Sequence, residues 1–190
     1  MKIDAVIDRA KAVLLSPRDA WLAVREEPDE IIDLYKHYLI YLAAIPAIAI
    51  FIGQSIVKYR VPFEQEITYV PIGLGLSLMI RRYVLYLVGV LVAGYLISLL
   101  APRFQAQKDV RLAVKLVGYS ATPGWIASAL YIIPRLGDLS VFGYIFGIYL
   151  FYTGTMALLD CPEERATAFT IVSLLVLIII SILVSLFTNP

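Results

Sequence analysis

The densest group of polar side chains inside an apolar stretch is Gly118-Tyr119-Ser120-Ala121-Thr122-Pro123-Gly124-Trp125, which carries three hydroxyls, two glycines and a proline. On a helix Pro123 has no N–H to donate, so the Tyr119 carbonyl loses its partner and a kink is expected. In hydrocarbon that carbonyl must be satisfied by a side chain, water or a neighbouring helix. The Ser120 hydroxyl is placed to bond back to the Leu116 carbonyl. Such a segment lines a small polar cavity, acts as a hinge, or is a static kink that shapes a bundle, the last being the simplest reading. A second group is Arg81-Arg82, which ends the apolar stretch 69–80. Two cations there snorkel to headgroups, pair with an acid such as Glu64, Glu66 or Asp138, or mark an ion path. A third is Arg103, Lys108, Arg111 and Lys115, set on the same side as Asp160, Glu163 and Glu164. These four cations are expected to contact lipid headgroups or to form ion pairs.

No catalytic pattern accompanies these groups. There is no Ser/His/Asp spacing, no phosphate-cradling glycine loop, no HExxH and no acid pair inside an apolar run. His37 is the one histidine and Cys161 the one cysteine, so neither a His-rich metal site nor an internal disulfide is expected. The net charge of +1 makes no case for nucleic acid. The reading is a protein that is not an enzyme, with no metal and no cofactor.

The elements that carry these residues are five uncharged runs at about 38–57, 83–101, 116–134, 139–159 and 166–187. Each has the roughly 20 residues a helix needs to cross about 30 Å of hydrocarbon. Hydrophobic residues make up 61% and charged residues 16%, against about 25% charged in soluble domains. The fold class is therefore all-α, a polytopic membrane bundle of five transmembrane helices. Residues 37–190 form the five-span membrane domain. The stretch 67–82 is left open as re-entrant, interfacial, or the start of the second span. Joined to that span it would exceed the thickness of the core, and Pro71, Gly73 and Gly75 argue against one rod.

Residues 1–36 differ in kind. Ile3, Val6, Ile7, Ala10, Val13 and Leu14 form one stripe of an amphipathic helix. Ser16-Pro17 then starts a second helix, with Ser16 as cap, that carries Trp21 and ends before Pro28. Both helices lie in the cytoplasmic interface or pack on the membrane domain. No cleavable signal peptide is read at the N-terminus. With the N-terminus inside, eleven Lys and Arg lie on the inner side and five on the outer, which favours N-in and C-out in a cell (inner) membrane.

Small residues supply helix contacts in lipid, where hydrophobic burial contributes little. Ser120, Gly124 and Ser128 recur every four residues in the third run, and Gly143 and Gly147 do so in the fourth, with Gly154 another seven residues on. Ala49 with Gly53, and Gly89 with Ala93, repeat the spacing in the first two. These seams serve packing within the chain or a homodimer. The fifth run has no glycine and is expected to face lipid most.

The segment Gly118-Tyr119-Ser120-Ala121-Thr122-Pro123, with Ile133-Pro134 downstream, resembles the tyrosine-serine-x-x-proline signature of the Yip family, multi-pass proteins named for interacting with Ypt/Rab GTPases. Ser16-Pro17 with Trp21, Leu99-Leu100-Ala101-Pro102, the segment from Ile148 to Gly154, and Cys161-Pro162-Glu163 resemble bacterial members. The resemblance implies five spans with a cytoplasmic N-terminus. Asp33-Leu34-Tyr35 matches half of the Asp-Leu-Tyr-Gly-Pro motif of eukaryotic members, and their long soluble N-terminal region is missing, so Rab-type binding does not carry over. The function read from all this is a non-enzymatic integral membrane protein that organises membrane or binds an unidentified membrane partner. The alternative is a conduit for ion, lipid or small solute, as a channel, transporter or scramblase. Its partner in either case is the lipid bilayer.

Overall fold

The computed structural model describes residues 3–28, 30–57, 70–133 and 136–188. Among them every regular element is helical. Two short helices, α1 (Ile3–Leu15) and α2 (Pro17–Glu26), precede the long ones. The first long helix runs without interruption over Ile31–Ile56. It comprises α3 (Ile31–Leu34), a π turn at Tyr35–Leu39, α4 (Ile40–Phe51) and a second π turn at Ile52–Ile56. Pro46 lies inside α4. Tyr83 donates to the Ile40 carbonyl at 3.1 Å, and Tyr35 to the Leu87 carbonyl at 2.7 Å, tying this helix to the next.

The second long helix, α5 (Ile72–Leu100), has 29 residues and continues as a 3-10 turn over Ala101–Phe104. The described part of 67–82 is thus neither re-entrant nor separate. Pro71 is its N-cap, the place where a missing N–H costs least. Gly75 sits within the helix because a Cβ there would collide with Ser55 Oγ on the second π turn. The glycine that looked like a helix breaker permits a close helix contact. At about 43 Å the helix exceeds the hydrocarbon thickness.

The third run belongs to α6 (Val110–Ala127), which starts six residues earlier than the uncharged stretch and takes in Arg111 and Lys115. Asp109 caps it, accepting from the Leu112 N–H at 2.9 Å. The helix passes through Pro123 and tightens into a 3-10 turn only at Ser128–Ile132. Together the two pieces rise about 37 Å. Then follow α7 (Ser140–Leu159) and α8 (Glu163–Thr188).

Among the described residues four helices are long and apolar enough to cross a membrane, and α6 is the long helix that is not one of them. Its position explains why. Every residue from Leu112 to Ser120 is buried, and α6 packs against α4, α5 and α7 as well as α1 and α3. A helix sheathed by others need not be apolar on every side, so it can hold hydroxyls and basic residues. The opposite case is α8, with 17% of its apolar window buried against 44% for the first long helix. Its Ile171, Leu175, Ile178, Ile182 and Leu186 are exposed.

Candidate functional site

The signature segment lies on α6 where α1, α2 and the first long helix converge. Tyr119 is its centre. The ring packs on Tyr38 at 4.8 Å between centroids and meets Trp21 edge-on at 6.3 Å. The Arg9 guanidinium of α1 lies 5.9 Å from the same ring, within cation–π range. Thr122, fully buried, shares a hydrogen bond of 2.9 Å with the Tyr38 hydroxyl. A Cβ at Gly118 would stand 3.0 Å from the Leu39 side chain.

The other face of the segment meets α7. A Cβ at Gly147 would come within 2.6 Å of the Ser120 carbonyl oxygen, and one at Gly143 within 2.5 Å of that of Pro123. Only glycine lets the backbones approach so closely, near enough for Cα–H contacts to those carbonyls. Gly124 faces the Tyr144 ring, with 2.6 Å from its Cβ position to the ring edge. Ser128 donates to the Gly124 carbonyl at 2.8 Å and lies 3.1 Å from the Tyr144 hydroxyl. Gly154 opens room for Leu116 and for the Trp21 indole. The expected back-bond from Ser120 to Leu116 does not form. Its buried Oγ has no partner among the described residues, and Ser120 lines a cavity.

The two N-terminal helices are seated by polar contacts as well. Trp21 is 1% exposed and its Nε1 donates to Thr153 Oγ1 at 3.1 Å, so this indole is a core residue rather than an interfacial anchor. Ser16 makes no capping bond. On α1, Val6, Ala10 and Val13 face inward while Ile3 and Ile7 are exposed, so the six-residue stripe is split between two surroundings. Lys115 is 1% exposed, and its Nζ donates to the carbonyls of Val24 at 3.3 Å and Glu27 at 3.0 Å. Arg111 reaches the Pro28 carbonyl at 3.4 Å. Both therefore serve the C-terminal end of α2, whose orphan carbonyls and dipole favour cations. Burial removes Lys115 from any headgroup role, whereas Arg103 and Lys108 remain exposed.

Arg25 forms a two-pronged ion pair with Asp160 at 2.6 and 2.7 Å and also donates to the Ala157 carbonyl at 2.9 Å. The pair holds α2 to the end of α7 and keeps the Arg25 charge above its usual range through the Asp160 hydrogen bond. Arg9 pairs with Glu27. Burial opposes that charge, but the Glu27 bond with the nearby Tyr119 and Tyr38 rings outweighs it and raises the Arg9 value. A small cavity of about 140 Å³ is lined by Arg9, Asp33, His37, Tyr38, Lys115 and Tyr119.

The arginine pair divides. Arg81 is exposed and donates to the Phe187 carbonyl at 2.8 Å, at the end of α8. Arg82 is 6% exposed, donates to Gln54 Oε1 at 3.2 Å and lines a second cavity of about 710 Å³. Of the acids considered, Glu64 and Glu66 lie outside the described residues, and Asp138 lies within the 3-10 turn Gly137–Leu139 before α7. Pro134 of the downstream Ile-Pro pair also lies outside them. Gln54 escaped the sequence reading. A lone amide at the end of an otherwise apolar run, level with Arg82, was the available signal.

A family model, the Yip1 domain, matches residues 11–186. The chain belongs to the Yip1-domain family. It is 27% identical over 140 residues to the inner membrane protein YohC of Escherichia coli strain K12, covering 74% of this chain and 70% of the relative. The YohC protein of E. coli O6:H1 matches equally. No solved structure matches. The chain is thus a membrane protein of Yip1 type, and its signature segment is the junction between N-terminal helices and bundle. In this Yip1 domain Cys161 is buried between α7 and α8, with its Sγ 3.8 Å from the Phe104 carbonyl. Burial pushes that thiol up, with Arg165 partly opposing.

Proposed function

We propose that this Yip1-domain chain is a non-enzymatic protein of the inner membrane that binds a membrane partner through its N-terminal helices, which lie on the cytoplasmic side. The observation that carries the reading is the seating of α1 and α2. Tyr119, Lys115 and Trp21 lock their inner faces, while Ile3, Ile7, Leu15 and Leu22 remain exposed. Exposed apolar side chains on an ordered surface are the usual mark of a protein or membrane contact. Lys11 and Arg18 stand beside them, exposed, and suit an anionic surface.

The test is capture from native membranes after mild crosslinking. Ile7→Glu and Leu22→Glu change exposed positions only, so the melting temperature in detergent should stay within a few degrees of the parent. A stoichiometric partner held by the parent and lost from both variants is the expected outcome. Retention of that partner by the double variant would remove the N-terminal face from the proposal.

A second reading, a conduit for ion, lipid or small solute, finds its support in the large cavity beside Arg82 and Ser120. Purified protein in liposomes should give no flux above protein-free vesicles. Flux that Ser120→Ala and Arg82→Ala both abolish would favour the conduit over the partner-binding role.

A further inference from the structure

The 710 Å³ cavity lies among α4, α5, α6, α7 and α8, and the chain directions of those helices order its lining. Gln54 and Arg82 come at the end where α4 finishes, and Ser181 and Ser185 at the end where α8 finishes. The hydrogen bonds of Arg81 to Phe187 and of Arg82 to Gln54 bring those ends to one level. Tyr131, before α7, and Tyr144, in its first turns, belong to the same end. The opposite end is lined by Val90, Val117, Phe151 and Leu174. The cavity is polar and cationic at one end and apolar at the other.

Its length has a natural measure. From Arg82 to Val90 is about 12 Å along α5, and from Leu174 to Ser185 about 16 Å along α8. One leaflet of a bilayer has a hydrocarbon depth of about 15 Å. The volume falls within the range of about 300–1,000 Å³ usual for small-ligand pockets. The cavity is partly open, and Ile148 of α7 and Ile178 of α8 on its rim are exposed. Intramembrane cations face the bundle interior or a cavity, pair with neighbouring groups and mark ligand or ion paths, and Arg82 lines this cavity. Arginine suits a phosphate through its planar pair of donors.

We propose that this cavity holds a single anionic phospholipid, its phosphate at Arg82 and Gln54 and an acyl chain running past Gly89 toward Phe151 and Val117. Gly89 matters because its missing side chain leaves the middle of the path open. A Cβ there would make only an ordinary contact, 3.5 Å from Ile180, whereas a leucine would occupy the path itself. The site is separate from the N-terminal face, and its lipid would stay bound whether or not that face takes a partner.

The experiment is native mass spectrometry of the purified full chain titrated with dioleoyl phosphatidylglycerol or dioleoyl phosphatidylcholine. One phosphatidylglycerol per chain is expected, held about tenfold or more tightly than phosphatidylcholine, which brings the same phosphate but sets a trimethylammonium cation beside the buried Arg82, a like-charge contact that costs at least that factor. Arg82→Gln should remove the headgroup preference. Gly89→Leu should weaken both lipids while leaving the melting temperature of the lipid-free chain unchanged. Equal binding of the two lipids by the parent would overturn the proposal. So would phosphatidylglycerol binding that survives Gly89→Leu, which would place the lipid on exposed cations such as Arg103 and Lys108. If Arg82→Gln fails to fold, the parent's headgroup preference and the Gly89→Leu variant still decide.

Discussion

Single side chains set how the N-terminal helices are held. Tyr119 fills the space between Trp21, Tyr38 and Arg9, so Tyr119→Ala leaves a cavity with three unsupported neighbours. A loss of about 3–5 kcal/mol is expected for an aromatic removed from such a site. Hydrogen exchange should rise in α1 and α2 and stay constant in α8, the pattern to measure. Lys115→Met keeps the length but leaves the Val24 and Glu27 carbonyls without this donor, at about 1–3 kcal/mol in a denaturant melt. Cys161 offers a pH test. Its folded value lies above that of a free thiol because the thiolate is desolvated. Maleimide should label the native chain slowly at neutral pH, with a rate profile displaced to higher pH than in the denatured chain. As pH rises the unfolded chain loses this proton first, so the thiol lowers stability only on the alkaline side. The types of Tyr119 and Lys115 were evident in the sequence. That a lysine would cap a helix ninety residues earlier was not, since chain distance carries no information about which carbonyl end lies above it.

At the scale of elements, glycine decides how closely helices approach. A Cβ at Gly94 of α5 would lie 2.7 Å from the Val114 Cα and 2.9 Å from its nitrogen. Gly94→Ala should therefore cost about 1–3 kcal/mol through forced separation of α5 and α6. The control is Gly73→Ala, where nothing lies within 4 Å of the added atom and helix propensity should leave stability equal or slightly raised. Thermal melts in one detergent compare the two. Gly147→Leu should destabilise the α6–α7 contact by a similar 1–3 kcal/mol or more. Small-residue spacing in the fourth run could be read from the sequence, whereas the importance of Gly94 could not. Its partner is Val114, backbone as well as side chain, and no side-chain pattern in α6 announces it. Helix α5 shows the converse limit. Pro71, Gly73 and Gly75 left 67–82 open between three readings, and its described part proves continuous with the second span, because Gly75 answers to Ser55 and not to its own helix.

At the scale of the molecule, α6 is a central post and α8 an outer stave. A cytoplasm-dependent fluorescent reporter fused after Pro190 should stay dark, and one fused before Met1 should be bright. The reverse pattern would overturn the N-in, C-out orientation. The charge count and the runs of hydropathy are sums along the chain, so membrane residence and the all-helical class were determined by sequence alone. Tertiary structure decided which run is sheathed, which glycines face backbone, and which cations are buried. Those choices rest on contacts such as Tyr38 with Thr122, Trp21 with Thr153 and Arg25 with Asp160. Each joins residues more than eighty positions apart, and its energy exists only once the helices have packed.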